Sequence, residues 1–359
     1  MNSKVKELIE SINKLSPKEQ INIMEVCGTH TMAISRSGIR QLIPPSINLI
    51  SGPGCPVCVT PINDIDWIIE IINKYNTTIF TFGDIIRVPG SDSSLSFVKS
   101  KGSEIIICYS PIDAINFAKD NPLKKIIFLA IGFETTIPLT SVILKKASSE
   151  NINNFYIFNT HKLVPPALKA LLTDKEVKIN GLLCPGHVSA IIGSKPYEFI
   201  PANYSIPCVI SGFEPIDILQ SIKMILEQIK EDKPQVQIQY KRVVKEEGNP
   251  VAVREIYDVF EKADSLWRGL GCIPGSGLNL KSKYLDFDAK KNFAIKKLTS
   301  KEPSGCECGN ILKGIKKPKD CKIFSKACTP NSPVGPCMVS SEGSCAAYYK
   351  YERYNTNRH

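Results

Sequence analysis

The chain has 359 residues, 43% hydrophobic and 22% charged, with a net charge of +10. That length exceeds one ordinary core, and the composition excludes a disordered or fibrous chain. No apolar run reaches the roughly 18–20 residues that span a bilayer, and the charged N-terminus lacks the apolar centre of a secretory signal, so a cytoplasmic protein with no membrane partner is expected.

Residues 4–15 are amphipathic and read as a surface helix. Short apolar runs then cover 21–26, 47–50, 78–82, 104–108, 125–131, 155–159, 181–184 and 207–210. They are β-branched or aromatic and continuous rather than alternating, as buried parallel strands are. Helical patterns at 64–74, 111–119, 138–147, 165–172 and 215–229 separate them, which implies βαβ units. Two smaller sheets fit the length better than one of eight strands. The expected division is an α/β domain over 17–120, a second over 121–232, and a third unit formed by 233–359 with the N-terminal helix 1–16. A short echo, Gly132-Phe133-Glu134 and Gly212-Phe213-Glu214, suggests two similar halves. Beyond 235 a strand is expected within 234–244 and a helix over 252–263. From Trp267 onward Gly, Pro, Cys and Lys dominate with little periodicity, and such a segment needs a metal centre to cross-link it.

Polar turns follow the strands: Cys27-Gly28-Thr29-His30-Thr31, Gly52–Cys58, Gly83-Asp84, Gly132–Thr136, Asn159-Thr160-His161 and Cys184–His187. Ligands of open α/β sheets bind beyond the carboxyl ends of the strands, so these turns describe a cleft. Thr29 reads as the N-cap of a helix reaching about Leu42, and Cys27 at that N-terminus is expected to be thiolate-rich. His30 is a candidate second ligand or proton partner. Asp84, Arg87, Glu134, His161 and His187 are candidate supporting residues of the same cleft.

Thirteen cysteines are unusual for a reducing compartment, where structural disulfides are rare. Cys55-Pro56-Val57-Cys58 has the spacing of a redox dithiol or half a zinc knuckle. Six more lie close together: Cys306, Cys308, Cys321, Cys328, Cys337 and Cys345. Their spread spacing, with prolines between, suits an iron–sulfur cluster better than the paired knuckles of zinc, and spacing leaves open which four of the six are ligands. The lysines at 313, 316, 317, 319, 322 and 326 lack interleaved aromatics. They read as a solvated face or a docking patch for an acidic protein, with no nucleic acid as partner.

The motifs Met24–Thr31, Gly52–Cys58, Thr81–Asp84, Gly132–Thr136, Cys184–His187, Trp267–Gly271 and Pro333–Cys345 resemble the HypD family of [NiFe]-hydrogenase maturation proteins along nearly the whole chain. The resemblance implies two similar Rossmann-like α/β domains with parallel sheets and a loop- and helix-rich C-terminal [4Fe–4S] domain. It implies a scaffold on which Fe(II) acquires cyanide and carbon monoxide, working with a HypC-type chaperone and a HypE-type cyanide donor and serving the hydrogenase large subunit. Such a protein is a metallocentre-assembly scaffold with thiol redox activity more than a conventional enzyme. The family's cluster pattern falls on Cys306, Cys321, Cys328 and Cys345, and leaves Cys308 and Cys337 as a dithiol beside the cluster. Its essential thiols fall on Cys27, Cys55 and Cys58, with Cys27 and Cys58 as expected iron ligands. A rival expectation from the same cysteines is a [4Fe–4S]-dependent thiol–disulfide reductase of the ferredoxin:thioredoxin reductase type.

Overall fold

The computed structural model describes residues 3–295 and 298–354. Nine parallel strands follow the expected runs: β1 (Ile21–Glu25), β2 (Ile47–Ser51), β3 (Thr77–Thr81), β4 (Ile105–Ile107), β5 (Lys125–Ala130), β6 (Phe155–Asn159), β7 (Gly181–Pro185), β8 (Cys208–Ser211) and β9 (Val236–Ile238). They form two sheets, ordered β2-β1-β7-β8-β9 and β4-β3-β5-β6. All pairings within both are parallel. The protein is thus α/β, with two sheets of the doubly wound kind.

The sheets do not follow one another along the chain. The second is inserted between β2 and β7 of the first, so the expected boundary at 120/121 falls inside it, between β4 and β5. Local pattern identifies a strand, but pairing is decided by which faces bury together, and that is non-local. In both sheets the earliest strand is interior and the next lies outside it, so each has a switch point: β1/β7 in the first and β3/β5 in the second. The Gly-Phe-Glu echo does not obey this symmetry. Gly132 follows β5, third in its sheet by chain order, whereas Gly212 follows β8, fourth in its own.

Helices cover the faces: α1 (Ser3–Leu15), α2 (Gly28–Ser37), α3 (Ile62–Lys74), α4 (Pro111–Asp120), α5 (Ile137–Ser149), α6 (Val164–Thr173), α7 (Gly186–Ile192), α8 (Pro215–Glu231), α9 (Pro250–Val259) and α10 (Ser344–Tyr351), with shorter turns between. In α3, Ile62, Ile65, Ile68, Ile69 and Ile72 recur at three- and four-residue intervals and form the buried stripe. α1 packs on α8 through Ile12, against the first sheet. It belongs with that sheet rather than with the C-terminal unit.

The expected helix over 252–263 ends at Val259, where the chain turns into a hairpin of β10 (Phe260–Trp267) and β11 (Gly271–Leu280). Sequence patterning did not reveal this hairpin. β10 buries only its ends, and β11 carries Pro274 and three glycines, residues that weaken a strand signal. The irregularity between Ala263 and Ser265 accommodates them as a bulge. The hairpin docks on the second sheet: Leu163 N donates to Ser276 O, Trp267 Nε1 donates to Ser276 Oγ at 2.8 Å, and Trp267 stacks on Phe133.

Trp267 is the largest side chain among those fully buried in the described residues. Trp267→Ala is expected to cost about 3–5 kcal/mol, and Leu123→Ala, at a 99% exposed position, less than about 0.5 kcal/mol. Urea unfolding of both variants checks this; equal losses would remove Trp267 as the anchor of the hairpin.

Candidate functional site

Cys27 follows β1 in extended conformation (φ −154°, ψ 127°) and is itself the N-cap of α2, although its side chain makes no cap bond. Thr29, the expected cap, lies inside the helix and donates its hydroxyl to Glu342 Oε1 at 2.7 Å. The helix stops at Ser37 because Gly38 adopts φ +68°, and a separate turn continues to Leu42.

Two glycines hold this turn. A Cβ on Gly54 would lie 2.4 Å from Cys27 N, and Gly28 N donates to Gly54 O at 3.1 Å. A Cβ on Gly28 would meet the backbone of Glu342 at 2.4 Å. Only glycines let these three segments meet.

Around Cys27 lies a cleft of about 280 Å³ bounded by Gly54, Asp84, Thr136, His187 and Glu342. Cys27 and His187 come from the switch point of the first sheet, Asp84 and Thr136 from that of the second, and Glu342 from the C-terminal unit. Asp84 Oδ2 accepts from Ser341 N at 3.2 Å, Ser341 Oγ at 2.7 Å and Ser340 Oγ at 3.3 Å, which ties the C-terminal unit across the opening.

The other expected residues fall elsewhere. His30 is fully buried, contacts Gly212 O at 3.0 Å and stacks on Phe213, whose ring also stacks with His187 at 3.9 Å. Burial lowers His30 to about 4. Glu134 is buried behind the cleft wall with Oε1 accepting from Val164 N at 3.0 Å. Arg87 reaches Pro330 O at the surface, and His161 lines a different cavity. Neither borders the Cys27 cleft: of the expected supports, Asp84 and His187 do so, and Thr29 reaches it through Glu342.

The thiol does not match the thiolate expected at a helix N-terminus. Burial, and then the Glu342 carboxylate, push Cys27 up to about 12. Cys55 and Cys58 are joined as a buried disulfide, with Pro56 and Val57 between them forming part of the cleft wall. From this loop Val59 O accepts from Arg268 N at 2.9 Å. Arg268 is buried and gives Nε and Nη2 to Glu302, while its Nη1 has no partner among the described residues. Next to it Gly269, at φ +78°, lies against Gly309, where a Cβ would come within 2.3 Å.

Gly309 adjoins Cys308, and all six C-terminal cysteines line one small cavity. The Cys308 and Cys337 sulfurs are 2.6 Å apart. Gly335 is needed for the wall, since a Cβ there would stand 2.6 Å from Cys306 Sγ. Cys306 is raised by its hydrogen bond with Cys308 and by burial, and the Arg268 guanidinium opposes that shift. Among the described residues no group of three or more His, Cys, Asp or Glu is arranged for a single metal ion. A polynuclear centre spaces its terminal thiolates more widely than a lone ion does. The six thiols converge on one glycine-walled cavity of about 10 Å³ and could hold an iron–sulfur cluster only by moving apart.

Sequence reading included Ser340, Ser341, Glu342 and Arg268 in the motifs Pro333–Cys345 and Trp267–Gly271 but gave none of them a role. The available signals were a single carboxylate in the small-residue run Ser340–Ser344 and one arginine between Trp267 and Gly269.

Two outcomes follow from these positions. Alkylation of Cys27 in metal-free protein is expected to have its pH midpoint far above 9, and Glu342→Gln to lower it by removing a negative charge; a midpoint between 7 and 8.5 would show the thiol to be activated. Burial raises Glu134 to about 7 from 4.5. Its raised value favours the fold below about pH 4.5, a contribution lost as pH rises through about 7. Glu134→Gln, which keeps the acceptor for Val164 N, is expected to be about 2–3 kcal/mol more stable than the natural chain at pH 8. No difference is expected at pH 4; a gap independent of pH would contradict the assignment.

Known proteins match the chain along nearly its whole length. The model of the HypD family, described as "Hydrogenase formation hypA family", matches residues 3–352. Hydrogenase maturation factor HypD2 of Bradyrhizobium diazoefficiens is 44% identical over 350 residues, covering 95% of this chain and 92% of that protein. Hydrogenase maturation factor HypD of Rhodobacter capsulatus is 44% identical over 354 residues, with 97% and 94% covered. A putative hydrogenase expression/formation protein of Methanocaldococcus jannaschii is 44% identical over 350 residues, with 97% of both chains covered. The chain, with its two interleaved parallel sheets and glycine-braced Cys27 turn, belongs to the HypD family of hydrogenase maturation factors.

Proposed function

We propose that the Cys27 cleft is where an iron ion is held while cyanide and carbon monoxide are attached, and that the C-terminal cavity holds a [4Fe–4S] cluster. The observation that carries this reading is the meeting of three chain regions at one soft donor. Cys27 faces a cleft built by both switch points and by the segment that leads into Cys345. Cyanide and carbon monoxide favour low-spin Fe(II), which a thiolate suits. Cys27 loses its proton as iron binds, because metal binding releases ligand protons. Asp84, Glu342 and Thr136 supply polar groups on the remaining walls.

Cys306, Cys321, Cys328 and Cys345 would hold the cluster, which when bound supplies electrons. Cys308 and Cys337 are close enough to form a disulfide as they give up two electrons and two protons. The Cys55–Cys58 disulfide takes up two electrons and two protons on reduction, which frees Cys58 as a second thiol for the iron. Arg268 and the Gly269–Gly309 contact connect the two dithiols. His30 acts through the Phe213–His187 stack, since it does not border the cleft. Partners in this reading are a HypC-type chaperone and a HypE-type cyanide donor, with the hydrogenase large subunit as the recipient and the cytoplasm as the setting. Among the described residues no helix is long and apolar enough to cross a membrane.

The two dithiols also fit a cluster-dependent thiol–disulfide reductase, in which the cleft would hold no iron. Infrared spectroscopy of protein produced with its partners separates the readings. Diatomic stretching bands are expected in the natural chain and are expected to vanish in Cys27→Ala while the brown cluster absorbance stays. Bands that survive in Cys27→Ala would remove Cys27 as the anchor, and absent bands with thioredoxin-like reductase activity would support the other reading.

A further inference from the structure

A second cavity, of about 220 Å³, lies at the carboxyl end of β6 beneath the β10–β11 hairpin and shares no residue with the Cys27 cleft. It is smaller than the pockets of about 300–1,000 Å³ that take drug-sized ligands. Two of its lining residues are buried with unmet hydrogen-bonding capacity.

Lys162 is 3% exposed, and its Nζ donates to Ser265 Oγ at 2.6 Å. An ammonium has three donors, and Lys162 forms no ion pair among the described residues. The carboxylates on the cavity wall are otherwise engaged. Asp64 pairs with Lys290 at 2.9 Å, Asp288 caps the turn at Lys290 N, and Asp264 accepts from Gly275 N. Lys162 feels the Asp64 charge, but Asp64 is already paired with Lys290, so the buried cation gains from a further counter-charge.

His161 is 2% exposed. Its Nδ1 lies 2.8 Å from Asn159 Oδ1. That amide's orientation is settled by its other bonds: Oδ1 also accepts from His161 N, and Nδ2 donates to Leu278 O. Nδ1 therefore carries the proton. Nε2 is left as a buried acceptor with no partner among the described residues.

We infer that this cavity binds a small oxyanion bearing its own O–H group, with the Lys162 ammonium as its counter-charge and His161 Nε2 accepting its proton donor. Hydrogen phosphate, free or as the end of a small organic phosphate, has this chemistry. The three carboxylates on the wall work against a fully deprotonated anion and favour a protonated one. Occupancy would also brace the other cleft, because Lys162 N donates to Gly132 O at 3.0 Å and Gly132 lines it.

Calorimetric titration of the full chain with inorganic phosphate and with sulfate tests this, since sulfate carries no proton at neutral pH. Phosphate is expected to bind saturably and at least about tenfold more tightly than sulfate. Lys162→Met should weaken phosphate by at least about tenfold, and His161→Phe should abolish the preference over sulfate. Absence of saturable phosphate binding, or affinities unchanged in Lys162→Met, overturns the inference. If Lys162→Met does not fold, the natural chain carries the test: Tm should rise more with phosphate than with sulfate at equal ionic strength, and equal rises overturn it.

Discussion

The cleft depends on one contact, the backbone of Gly54 lying directly on the backbone of Cys27. No side chain fits between them, so the loop carrying the Cys55–Cys58 disulfide is fixed against the turn carrying the free thiol. The same turn admits Glu342 only because residue 28 is also glycine. Thr29 then bonds to Glu342 across a sequence separation of 313 residues. The disulfide, the free thiol of Cys27 and the cysteine-rich tail thus meet through close backbone approach, which joins three distant segments in one site.

The thiol at this junction shows which electrostatic effect prevails. A helix N-terminus stabilises an adjacent anion by about 0.3–1 kcal/mol, up to about 2 in favourable settings. A rise of Cys27 from 9.0 to about 12 corresponds to about 4 kcal/mol against the thiolate. Desolvation wins, assisted by Glu342. Cys27 is consequently protected as a thiol, and under the proposed function an incoming cation would replace its proton.

Much of the fold was legible locally. Strands β1 to β8 announce themselves as short β-branched runs, and their polar ends mark the carboxyl edge where Cys27, Asp84 and His187 converge. What was hidden is non-local or irregular. Insertion of the second sheet into the first leaves no trace in periodicity, because pairing partners are chosen by burial. The hairpin was hidden by Pro274, its glycines and its exposed faces. Glu342 looked like one surface carboxylate among serines, and its role depends on a glycine more than 300 positions earlier. His161 shares the strand-end position of the cleft residues, yet the hairpin closes over it and makes a separate cavity. A Rossmann-like pattern therefore located the functional edge but not which turns share a pocket.

The central claim is that two iron sites occupy separate places, one beside Cys27 and one among the C-terminal cysteines. Anomalous diffraction at the iron edge from crystals of the iron-loaded protein tests it most directly. The account predicts one strong multi-iron peak within bonding reach of Cys306, Cys321, Cys328 and Cys345, and a second, single-iron peak against Cys27 Sγ. A single-iron peak away from Cys27, or cluster density held by Cys308 or Cys337, would contradict it.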